Sequence, residues 1–69
     1  MYQMMYKTAG MSPSHMDLCK TEEAKEEFFK HRELLARGMD FYTKREGDTL
    51  IIYTDNEEFG RYYVNDTRD

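Results

Sequence analysis

The chain has no tryptophan, one proline and one cysteine among its 69 residues. The lone thiol, Cys19, has no partner for an internal disulfide. Small secreted domains usually need such bridges, so a reducing, cytoplasmic setting is expected. Long apolar runs are missing too. The longest is Leu50, Ile51, Ile52 and Tyr53, far below the roughly 20 residues of a membrane-spanning helix. No charged N-terminal stretch precedes an apolar segment, so no signal peptide is expected. The glycines are scattered and form neither a GxGxxG nor a Walker-type loop, which leaves nucleotide binding without support. There is no CxxC and no HxxxH, and the two histidines, His15 and His31, with Cys19 fall short of a tetrahedral zinc set. Neither a metal nor a cofactor is expected.

What the chain does have is charge and aromatic rings. Charged residues make up 35% and hydrophobic ones 39%, a polar balance for a globular protein. Six Tyr and four Phe nevertheless argue against disorder, because disordered chains are poor in aromatics. A domain this small buries only about 60% of the surface its unfolded chain exposes. One layer of helix on one layer of sheet is about all it can build. A deep catalytic cleft is hard to carve from so little core, and no nucleophile–base–orienter motif is present, so the expectation is a non-enzymatic protein with one domain over 1–69.

Periodicity places the elements. In 2–8, Tyr2, Met4 and Tyr6 alternate on one face, as in a half-buried strand. Gly10 and Pro13 then punctuate the chain. Over 15–20, Met16 and Leu18 alternate with polar neighbours and suggest a second strand. The alternative is a helical turn capped by Ser12 with Pro13 at its first position. On a strand, His15, Asp17 and Cys19 would share one face. Thr21 suits a helix N-cap, Glu22 and Glu23 suit the first turn, and Gly38 suits a stop after Arg37. The spacing predicts a helix over 22–37 whose apolar stripe is Ala24, Phe28, His31 and Leu35, widened by Leu34. After Gly38 the period becomes two. Strands are expected around Met39–Arg45, Thr49–Thr54 and Phe59–Val64, with turns at "EGD" and "DNEE". The fold class is α+β, in the order β(β)αβββ, with the helix on an antiparallel sheet because these connections are too short for parallel crossovers.

The net charge of −4 is unevenly spread. Residues 48–69 hold Asp48, Asp55, Glu57, Glu58, Asp66 and Asp69 against Arg61 and Arg68, an excess equal to that of the whole chain. Arg61 beside Tyr62 and Tyr63 is a mixture used by single-strand binders, but a pI near 5.1 opposes direct nucleic-acid binding. Acids interleaved with Tyr suit a different partner, a basic protein surface reached by electrostatic steering and held by aromatic anchors. The expected binding residues are Asp55, Glu57, Glu58, Tyr62, Tyr63 and Asp66. The expectation extends to a nucleic-acid mimic that inhibits a DNA- or RNA-binding protein, a type of small inhibitor that phages and mobile elements use. The alternative is a structural homo-oligomer. One helix covers one sheet face, which would leave Met5, Tyr42, Ile51 and Tyr53 open for a homodimer.

Overall fold

The computed structural model describes residues 1–66. Its elements are β1 (Tyr2–Thr8), β2 (Ser14–Cys19), α1 (Glu22–Gly38), β3 (Tyr42–Glu46), β4 (Thr49–Thr54) and β5 (Glu57–Asp66). The five strands form one antiparallel sheet in the order β2-β1-β5-β4-β3, with α1 on one face. This is the expected α+β arrangement, and 15–20 belongs to a strand rather than a helical turn. Because β2 and β3 are the two edges, α1 must cross from one side of the sheet to the other. That crossing brings it over the central strands.

Local chemistry explains where α1 starts and stops. The Thr21 hydroxyl accepts the Ala24 N–H at 3.0 Å, satisfying one of the free donors of the first turn. At the other end Gly38 is still helical and Met39 is the cap, its N–H directed to Ala36 and Arg37 carbonyls. The left-handed residue that turns the chain is Asp40, with φ 65°, so Gly38 is not the stop that the sequence suggested.

The buried stripe of α1 also differs from the expected one. It runs through Lys25, Phe29 and Ala36, with Ala24, Phe28, Arg32 and Glu33 half-buried. His31 is exposed, and Leu34 and Leu35 keep 58% and 46% of their surface accessible. Lys25, Phe29, Arg32 and Ala36 are spaced i, i+4, i+7, i+11, a valid helical stripe that an apolar search misses because two members are cationic. Phe29, Met4 and Leu50 are the fully buried centre, joined by Cys19.

Two bulges adjust the sheet. In β2, Asp17 pairs with Met4 and His15 with Met5, so Met16 is the extra residue. The alternation is broken there, and His15 no longer shares a face with Asp17 and Cys19. In β5, Gly60 pairs with Ile52 and Glu58 with Tyr53, which leaves Phe59 as the extra residue. Gly60 lies beneath the Tyr6 ring. A Cβ there would sit 2.9 Å from both the Lys7 carbonyl oxygen and the Tyr6 hydroxyl. The carbonyl is held by the β1–β5 pairing and has no room to retreat. Gly60→Ala is therefore expected to cost about 1–3 kcal/mol, as overpacked sites do. Urea unfolding measures this, and wild-type stability in the variant would contradict the packing described.

Both hairpin turns contain two residues. Gly47 leads the first with φ 54°. Asp55 and Asn56 form the second with φ 50° and 66°, the pattern of a type I′ turn, which Asp and Asn tolerate.

Candidate functional site

The structure disperses the six residues marked out by the sequence. Asp55 and Glu57 lie at the β4–β5 turn, both exposed. Asp66 pairs with Tyr2 at the opposite end of the ten-residue β5. Glu58 and Tyr63 lie on the face away from α1, lining a shallow concavity with Lys7 and Arg61. Glu58 is neutralised there: Arg61 Nε donates to Glu58 Oε2 at 3.0 Å, and this bond holds the Glu58 carboxyl below its usual range. The two cations there face two carboxylates, Glu58 and Asp48, each already bonded to a cation, so the patch carries no free excess of anions. Tyr62 turns inward. Its ring packs 4.7 Å from Tyr6 and edge-on to Phe28 at 5.9 Å, and burial pushes its hydroxyl pKa up.

Asp55 and Glu57 instead join residues that the charge count passed over. Glu57 pairs with Thr54 on the α1 side of the sheet, and Phe59, the bulge residue, lines the space beneath the end of α1. The Phe59 ring meets the Phe41 ring at 5.0 Å. Phe41 N–H donates to the Ala36 carbonyl and Asp40 N–H to the Arg37 carbonyl, so the start of the β3 segment folds back on the end of α1. The result is an apolar groove of about 250 Å³ between the last turns of α1 and the sheet, with Tyr6, Arg32, Leu35, Met39, Phe41 and Phe59 among its lining residues. Asp40 stands between two of these, Met39 and Phe41. Asp40, Asp55 and Glu57 thus mark one end of the molecule. None of the three forms an ion pair among the described residues, in contrast with Glu22, Glu26, Glu33, Glu46, Asp48 and Glu58; Asp17, Glu23 and Glu27 also form none, but they lie away from the groove, on β2 and the first turns of α1.

Exposed apolar atoms accompany those carboxylates. Met39 is 68% accessible, and Leu35 and Phe59 are exposed beside it. Leu35, expected in the core stripe, is turned out to the groove edge by the stripe that α1 actually buries. The available signal was the run Leu34, Leu35, Met39, Phe41, which is more apolar than one helix face can bury.

Elsewhere the chemistry is structural. Cys19 is buried, and burial together with the nearby Asp17 charge pushes its thiol pKa up, the opposite of what activates a nucleophile. Among the described residues no three His, Cys, Asp or Glu side chains gather as metal ligands. No helix of the described residues is long and apolar enough to cross a membrane. No family model, curated protein or solved structure matches the chain.

Proposed function

We propose that this is a small non-enzymatic binding protein that docks on a basic surface of another protein. The observation that supports this most is the coincidence, at one end of the molecule, of three unpaired carboxylates with an exposed apolar groove. Specific interfaces commonly combine an apolar centre with a polar rim. Here the rim is Asp40, Asp55 and Glu57, and the centre is Leu35, Met39, Phe41 and Phe59. Asp55 and Glu57 keep the anionic role read from the sequence. Phe59 and Met39 take the anchoring role expected of Tyr62 and Tyr63. Where the basic target is itself a DNA- or RNA-binding surface, docking would exclude the nucleic acid, and the protein would act as its inhibitor.

The test uses a variant that the turns tolerate. Asp40 and Asp55 have positive φ, which Asn also accepts, so Asp40→Asn, Asp55→Asn and Glu57→Lys remove the rim anions without backbone strain. A basic partner isolated with the wild type should associate with this variant at least about tenfold more slowly at low salt, because rim charges act mainly on the on-rate. The partner's DNA or RNA, added as competitor, should be displaced by wild type and much less by the variant. Equal association rates for both proteins would refute the docking surface.

A second reading has support of its own. Met5, Tyr53 and Tyr63 are half-buried on the face opposite α1, and Tyr42 on edge strand β3 is exposed beside Tyr53, whereas Ile51, expected to be open there, is buried. A homodimer formed through that face would be seen by sedimentation equilibrium and would persist in the rim variant.

A further inference from the structure

We infer that the groove beside α1 receives one aromatic side chain of the partner, with lysine or arginine on both sides of it in the partner's chain. This rests on the docking surface proposed above and specifies what enters it. Size comes first. Pockets for drug-sized ligands usually measure about 300–1,000 Å³, and this one holds about 250 Å³ and is open along one side. One large side chain suits it better than a whole ligand.

The lining selects an aromatic ring. Phe41 and Phe59 already meet edge to face, and Tyr6 and Tyr62 pack at a tilt of 39°, so an entering ring finds both edges and faces. Met39 adds an adaptable thioether at the mouth. Arg32 supplies a cation at the wall: its guanidinium carbon lies 5.1 Å from the Phe28 ring centre and 5.6 Å from that of Tyr62. The same group extends a cation–π surface to a third ring.

Arg32 carries a second signal. Its Nε is buried and has no hydrogen-bond partner among the described residues, and it forms no ion pair there. A buried donor left unsatisfied is costly and calls for an acceptor. Solvent does not reach that atom, so an acceptor meets it only once the entering ring parts the groove wall; a backbone carbonyl next to the anchoring residue would then supply one. An anionic ligand could supply one too, but it would have to pass Asp40, Asp55 and Glu57 at the rim of a chain whose net charge is −4. Those carboxylates favour lysine or arginine flanks instead.

Short end-blocked peptides test this against isotope-labelled protein, with the Arg32 Nε–H and the Met39 methyl group as NMR reporters. The probes are a phenylalanine flanked by two lysines on each side, the same peptide with alanine at the centre, and a phenylalanine flanked by glutamates. The lysine–phenylalanine peptide should move both reporters and bind at least tenfold more tightly than either other probe. Met39→Ala, at an exposed position that the fold does not need, should weaken it severalfold while leaving the alanine-centred peptide unaffected. Equal binding of the phenylalanine and alanine peptides, with shifts confined to Asp40, Asp55 and Glu57, would overturn the groove inference and leave the docking surface standing. Tighter binding of the glutamate peptide, or no binding of any lysine peptide at millimolar concentration, would overturn both. Reporter shifts that grow with protein concentration alone would assign the groove to a second copy and also overturn the inference.

Discussion

Phe29→Ala is expected to leave the protein largely unfolded at 25 °C. Phe29 has no accessible surface, and the core closes around it: Met4 and Leu50 below, Phe28 beside it at 6.1 Å, and the Arg45 guanidinium 4.1 Å from its ring centre. Truncating a buried Phe to Ala typically costs about 3–5 kcal/mol, combining lost transfer energy with the cavity left behind. A native domain holds on the order of 0.05–0.15 kcal/mol per residue, which gives this one roughly 3–10 kcal/mol in all. The loss is therefore comparable to the total. Arg45 would suffer as well, since its stacking surface disappears while its bonds to Glu26 at 2.8 and 3.1 Å remain exposed to water. Far-UV circular dichroism with urea titration is the measurement. Phe29→Leu, which keeps most of the volume, should retain a cooperative transition at lower urea. If Phe29→Ala unfolds within about 1 kcal/mol of wild type, the core is not centred where the structure has it.

The next largest effect belongs to a lysine. Lys25 is only 3% accessible, although it sits on a helix in a highly charged chain. Its ammonium donates to Glu22 Oε1 and to Asp48 Oδ1, each at 2.8 Å, and lies 4.8 Å from the Tyr2 ring centre. The Tyr2 hydroxyl in turn donates to Glu22 Oε2 at 2.7 Å. Lys25 thereby ties the first turns of α1 to the β3–β4 turn and to β1. Lys25→Ala removes both the ions' bridge and the packed stem, and about 3 kcal/mol of destabilisation is expected. Lys25→Met keeps the stem, and its expected loss is about 1–2 kcal/mol, because both carboxylates are half-exposed and rehydrate. Lys30→Ala, on the exposed side of the same helix, should stay within about 0.5 kcal/mol.

The same contacts set the pH dependence. The Lys25 pKa is raised in the folded state, first by its hydrogen bonds to Asp48 and then to Glu22. A raised cation contributes stability that is complete below its unfolded value of about 10.4 and is lost only as pH rises beyond it. The Glu22 and Glu58 pKa values are lowered, chiefly by hydrogen bonds from Lys25 and Arg61 respectively. A lowered carboxyl contributes stability that is present above its unfolded value of about 4.3 and is lost as pH falls through the folded one. Urea midpoints should therefore form a plateau from about pH 5 to about pH 10, falling on both sides. In Lys25→Met the alkaline fall should shrink, and the acid fall should lose the share that Glu22 owes to Lys25. An unchanged profile in that variant would mean that the bridge contributes little in solution.

The proposed docking surface lies in a different part of the molecule. Lys25 and Phe29 secure the N-terminal half of α1, whereas the groove and the rim acids Asp40, Asp55 and Glu57 lie at its C-terminal end. Stability and docking should accordingly separate. The rim substitutions at Asp40, Asp55 and Glu57 touch no packed contact, and Phe29 and Lys25 contribute nothing to the groove lining.

Much of this architecture is determined by sequence alone. Thr21 with its following glutamates starts the helix, the change of period after it sets the strands, and "EGD" and "DNEE" hold both two-residue turns. These are local matters, decided by capping, φ preference and side-chain alternation within a few residues. Which carboxylates remain unpaired is not local. Glu58 meets Arg61 only because the extra residue Phe59 brings these two positions to one face of β5, and Asp48 meets Lys25 only because α1 crosses the sheet from β2 to β3. The separation of Asp66 from Asp55 follows from a strand long enough to span the sheet. The burial of Lys25 and the exposure of Leu35 and Met39 follow from the rotation of α1 about its axis. Composition could count the acids and the rings. Only packing, through the crossing path of the helix and two single-residue bulges, decided which were neutralised, which were buried, and which were left together at one end.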